Sequence, residues 1–220
     1  MTTTTRYEVP GIGAPYQGLW RRWFINVTLG EFLGFAAPAM AGAFLRDATP
    51  AAAAVALLAA GAVEGTILGW FQARVLRSVV PGLRSGDWIL ATMIGALAAW
   101  SIGAIPVLAG DSFSTWPPTV VVLAAIVGGT VILLSIGVTQ WLVLRHRLRR
   151  AGQWIWVTAL AWLAGLLVFI AFTTPLWQSG QSIPLVAVIG IGGGLLMAAV
   201  MAAVTGAFLV RILRPPASTQ

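Results

Sequence analysis

Polar residues in this chain are gathered into short stretches, and between them apolar positions run in six long blocks, over residues 23–45, 51–75, 88–108, 119–144, 154–173 and 183–210. Each block is close to the ~20 apolar residues a helix needs to cross a bilayer. The breaks are rich in Pro, Gly, Asp or Arg and are too short to hold a soluble domain. The pattern predicts an all-α integral membrane protein. A single six-helix transmembrane domain covers residues 20–214, with a polar cytoplasmic tail at 1–19 and a second tail at 215–220.

Within the blocks, the stretch "GWFQARVLRSVVPGLRSGDWILATMIGA" from Gly69 is echoed by "GVTQWLVLRHRLRRAGQWIWVTALAW" from Gly137. Trp23, Trp88 and Trp154 each open an odd-numbered helix, 65 and 66 residues apart, and seven residues on stand Gly30, Gly95 and Ala161. Arg77, Arg145 and Arg214 follow "VL", "VL" and "IL" at spacings of 68 and 69, and Gly69, Gly137 and Gly206 stand eight residues before them. The echo therefore predicts three tandem two-helix repeats, at about 20–86, 87–152 and 153–214. A unit of two spans returns to its starting side, so the copies share one orientation about an axis along the membrane normal. A pseudo-threefold bundle and an open arc both satisfy that pattern.

The repeated residues read as scaffolding. Small residues at four-residue spacing let helix backbones approach where lipid offers no hydrophobic drive for association. Gly30 and Gly34 do this in the first span, Gly61, Gly65 and Gly69 in the second, and Gly194, Ala198, Ala202 and Gly206 in the sixth. Such Gly-rich faces suit contact with another membrane protein or self-association. The repeated Trp are expected at the interface, ring partly in lipid and N–H wet.

Composition sharpens the class. Hydrophobic residues make up 59% of the chain and charged ones 9%, with a mean hydropathy of +0.90, far from the balance of a soluble domain. There is no cysteine and no lysine, which excludes thiol chemistry and Schiff-base formation. The net charge of +7 comes from Arg residues placed between apolar blocks, so it argues for membrane orientation and against nucleic acid. Arg21, Arg22, Arg74, Arg77, Arg84, Arg145, Arg147, Arg149, Arg150, Arg211 and Arg214 mark one side, while the other holds Arg46 with Asp47, and Asp111. Both termini are expected to be cytoplasmic, in the inner membrane of a bacterium. "RRWF" before an apolar run imitates a twin-arginine export signal, but Glu31 interrupts the run and no exported domain follows.

The combination of "GxxQxxVLR", here "GWFQARVLR" and "GVTQWLVLR", with "WILAT" and "WIWVT" resembles a group of uncharacterised bacterial multi-span membrane proteins built from tandem hairpins. The likeness runs from about Trp20 to Arg214. It implies the architecture and no activity. The outer units depart from it: Val27 replaces the Thr of Thr92 and Thr158, and Leu209 stands where Gln72 and Gln140 stand.

Candidate chemistry is sought where the copies differ. Glu31 has Ala96 and Trp162 as counterparts, and Glu64 lies in the returning helix of the same unit. At 1.5 Å per residue, Glu31 stands about 13 Å from Arg22 along its helix and Glu64 about 15 Å from Arg74. The two can therefore share one depth, with Asn26 as a further polar neighbour, forming an intramembrane site that holds a proton or a cation. The alternative is that each acid is bonded to a neighbouring helix, or that Glu64 faces an assembly partner. Gln72 and Gln140 either line a polar entrance or bond across helices. Arg145, Arg147, Arg149 and Arg150 are expected to meet anionic lipid headgroups, and His146, alone among them, reads as solvated. With no other histidine, and no GxxxxGK or HExxH pattern, no metal, catalytic group or cofactor is assigned. The foremost expectation is a non-enzymatic scaffold or accessory subunit. Behind it stand a small carrier or channel using Glu31 and Glu64 for a proton, cation or amine, and an intramembrane lipid-modifying enzyme.

Overall fold

The computed structural model describes residues 18–44 and 48–213. Arg46 and Asp47, Arg214 and most of both expected tails lie outside the described residues, as does the side chain of Asp111. All regular structure among the described residues is helical: α1 (Leu19–Phe44), α2 (Pro50–Leu76), α3 (Ser85–Gly103), α4 (Ile105–Ala109), α5 (Pro118–Leu144), α6 (Gln153–Thr173) and α7 (Ile183–Leu213), with a 3₁₀ turn at Gly110–Thr115. Among the described residues six spans are long and apolar enough to cross a membrane, the third being α3 together with α4. The chain is a polytopic membrane protein.

Local signals account for the boundaries. Thr49 caps α2 by accepting a hydrogen bond from the Ala52 N–H at 3.3 Å, and Pro50 occupies the first helical position, where its missing N–H costs nothing. Pro118 opens α5 in the same way. The third span, read from sequence as one helix, breaks at Ala104. The cause is Pro106, which has no N–H to offer the Ile102 carbonyl, so α3 stops and α4 starts afresh. α1 begins at Leu19, four residues earlier than the apolar block, because exposed Arg21 and Arg22 reach outward from a helix they do not interrupt. The turns into α3 and α7 use Gly82 (φ +70°) and Gly180 (φ +81°), a left-handed conformation that side chains disfavour.

Each spanning helix packs against its neighbours in the chain, and α7 comes back to pack against α1, so the six spans close a ring. The outside is apolar, with Leu123, Ile126, Trp156 and Ile183 among its exposed side chains. The inside holds the polar exceptions: Glu31, Glu64, Gln72, Thr92, Gln140, Thr158 and Thr205 are all buried.

The glycines set how closely the walls approach. A Cβ added at Gly95 would lie 2.6 Å from Ile136 Cα, one at Gly65 2.7 Å from Met93 Cα, and one at Gly34 3.0 Å from the Glu64 carbonyl. These faces meet other helices of the same chain. One sequence expectation is corrected here. Trp23, Trp88 and Trp154 are not at the lipid interface but wholly inside the ring, with exposures of 0%, 0% and 2%. Their rings meet edge to face, Trp23 to Trp154 at 5.9 Å and Trp88 to Trp154 at 6.0 Å. A buried indole needs an acceptor for its N–H, and the helices opposite supply one to each.

Candidate functional site

From the end of the bundle that carries Arg22, Arg84 and Arg145, the interior has three levels. The first is a hydrogen-bonded plug. The Trp88 Nε1–H donates to Gln72 Oε1 at 3.0 Å and the Trp154 Nε1–H to Gln140 Oε1 at 2.8 Å. Gln140 Nε2 then donates to both Gln72 Oε1 (2.8 Å) and Thr92 Oγ1 (2.9 Å), so α2, α3, α5 and α6 meet in one network. Leu209 offers no acceptor at the corresponding place in α7, and the Trp23 Nε1–H bonds instead to Thr205 Oγ1, one turn earlier, at 2.9 Å. Gln72 and Gln140 thus lie in a closed interior layer. Leu76, Leu144 and Leu209 pack into the same core.

Above the plug lies a cleft of about 10 Å³, room for a single water. Glu31 lines it with Gln72, Gln140, Thr158 and Thr205, between Trp154 and Trp162. Glu31 is 0% exposed, and among the described residues neither of its carboxyl oxygens has a hydrogen-bond partner, nor does Thr158 Oγ1. Most buried polar groups are paired. A carboxyl and a hydroxyl without partners among the described residues thus line one water-sized space.

The third level is a chamber of about 230 Å³, bounded by Phe35, Glu64, Trp100, Ile132, Trp162 and Leu166 among others. Glu64 Oε2 accepts a hydrogen bond from the Trp100 Nε1–H at 2.7 Å. Gly61 makes this possible: a Cβ there would collide with Trp100 Cδ1, so its absence seats the indole one turn from the acid. Gly34 likewise lets α1 lie directly against the backbone of Glu64. The two acids line separate chambers, which share Ile136 and Trp162 as a common wall.

The remaining candidates lie elsewhere. Asn26 Nδ2 donates to the Arg22 carbonyl of its own helix at 2.8 Å. Five residues of helix turn it about 140° from Glu31, so it does not join the cleft. Arg147 ties the α5–α6 connection to the α2–α3 turn, donating to the Gly82 carbonyl at 3.2 Å and to the Val143 carbonyl at 2.6 Å. Arg145 stacks over Trp141 and donates to His146 Nε2 at 3.0 Å, while Arg149 and Arg150 are exposed. Among the described residues no three His, Cys, Asp or Glu stand together as a metal site.

Sequence reasoning missed Thr158, Thr205, Trp100 and Trp162. For Thr205 a signal existed: it lies one turn before Leu209, where the missing glutamine leaves an indole in need of an acceptor. Compared with protein-family models, with curated proteins and with solved structures, the chain matches none.

Proposed function

We propose that this protein is a small membrane carrier whose working groups are Glu31 and Glu64. The observation that carries the reading is the Glu31 carboxyl, fully buried in the ring with no partner for either oxygen among the described residues. A carboxylate placed inside a membrane costs about 2.5 to 3.5 kcal/mol on insertion scales. A scaffold has no use for one that bonds to nothing. A carrier does, because the acid can take up and release a proton or bind a cation. Of the glycines that suited an accessory subunit, Gly30, Gly34, Gly61, Gly65, Gly69 and Gly206 face other helices of the same chain and Gly194 alone has open space at its Cβ position, and this moves the balance away from the scaffold reading. On this reading the arginine-bearing end is cytoplasmic, Arg145, Arg149 and Arg150 meet anionic headgroups there, and the Trp–Gln layer is the closed cytoplasmic gate.

The test is charge movement. Proteoliposomes on a solid-supported membrane should give a transient current when the pH is stepped, and Glu31→Gln should reduce it at least tenfold while melting as a folded protein. A silent wild-type protein would overturn the carrier. Native mass spectrometry showing a second polypeptide at fixed stoichiometry would then favour the accessory subunit.

The proposal includes the three-repeat architecture, and the hydrogen bonds support it: two indoles bond to a glutamine at one repeat position, and the third to a threonine. Thr205→Val should cost about 1 kcal/mol by leaving the Trp23 N–H unpaired. Adding Leu209→Gln should recover part of the loss in thermal melts, because it restores the acceptor found in the other two units. No recovery would count against the equivalence.

A further inference from the structure

We infer that the chamber beside Glu64 binds a protonated amine carrying an apolar or aromatic body. The inference rests on the carrier reading only for what binding would accomplish, since the site itself stands on its own geometry. Around the chamber, Glu64 is the one acidic side chain, and the other residues facing it are apolar or aromatic. Its Oε2 is held by Trp100, and among the described residues its Oε1 has no hydrogen bond. A metal cation needs several oxygen ligands, and these walls offer one carboxylate and an indole that only donates. An ammonium group asks for less. One anionic acceptor suffices for its N–H, and the aromatic rings of Trp100, Trp162 and Phe35 that line the cavity suit the charge and the body attached to it.

Size separates the two acids. At the packing density of a protein interior, about 230 Å³ accommodates on the order of ten heavy atoms. The cleft at Glu31 holds no more than a water. The amine therefore belongs to Glu64 and a proton to Glu31, with Trp162 and Ile136 forming the wall between them. A lipid tail would also fit apolar walls, but it has no use for a carboxyl whose orientation is fixed by Trp100 and seated by Gly61.

The experiment compares 2-phenylethylamine with 2-phenylethanol, its neutral counterpart of equal size, by calorimetry at neutral pH on the full chain in nanodiscs. The amine should bind at least tenfold more tightly than the alcohol. Glu64→Gln should erase that preference, and Trp156→Ala, at an exposed side chain on the outside of the ring, should keep it. Equal binding of both probes, no saturable binding of the amine, or a preference that survives Glu64→Gln would overturn the site. The wild-type comparison needs no variant to fold. Amine preference without a pH-step current sinks the carrier and leaves the site. A current without amine preference does the reverse.

Discussion

Gly95→Ala is expected to destabilise the protein by about 1 to 3 kcal/mol, the usual cost of forcing extra volume into a packed interior. The added Cβ would lie 2.6 Å from Ile136 Cα and 3.0 Å from Ile136 N. Both are backbone atoms and cannot rotate aside. α3 and α5 would have to part, and the bond from Gln140 on α5 to Thr92 on α3 would stretch with them. Gly129→Ala, near the middle of α5, is the matched control: among the described residues nothing lies within 4 Å of its Cβ position. There the methyl adds only helix preference, a gain of about 0.5 to 1 kcal/mol. Thermal melts of the two variants in one detergent should move in opposite directions. Parallel shifts would show that α3 and α5 do not approach as described.

A larger loss, about 3 kcal/mol, is expected from Trp154→Ala, at the low end of the range for such truncations because lipid adds little hydrophobic drive. Trp154 touches both other central indoles and donates to Gln140. Its removal opens a cavity where three rings meet and leaves a buried carbonyl oxygen short of its donor. Trp156, two residues on, is 65% exposed, so Trp156→Ala should melt almost as the wild type does. The pair tests the main correction to the sequence reading. Equal effects would return the repeated tryptophans to the lipid interface.

Hydropathy made the spans legible to within a few residues, because an apolar block of bilayer length has few other uses. It placed the end of α5 at Leu144 and that of α6 at Thr173, as observed. It missed the break at Ala104, where a single proline outweighs an apolar run. The direction faced by a tryptophan was harder to read, since apolar content is the same inside and outside a membrane bundle. Phase would have told more. Trp88, Thr92, Gly95 and Ala96 recur at helical spacing and share a buried face, and a threonine and a glycine on the face of a tryptophan point to helix contact, not lipid. The acids were visible as charges in apolar blocks. Their separation into two chambers was not, because it depends on Trp100 and Trp162, which come from other helices.

Closing the ring has a consequence for the order in which the protein is made. The acceptor for the Trp23 indole is Thr205, 182 positions later in the chain, and the contact between α1 and α7 can form only once the last helix has been inserted. Chains emerge from the ribosome N-terminus first. α1 must therefore wait in the bilayer through the synthesis of five further spans before the Trp23 N–H can reach Thr205. A chain stopped before α7 would keep that face of α1 exposed, with the Trp23 indole lacking the acceptor it has in the closed ring.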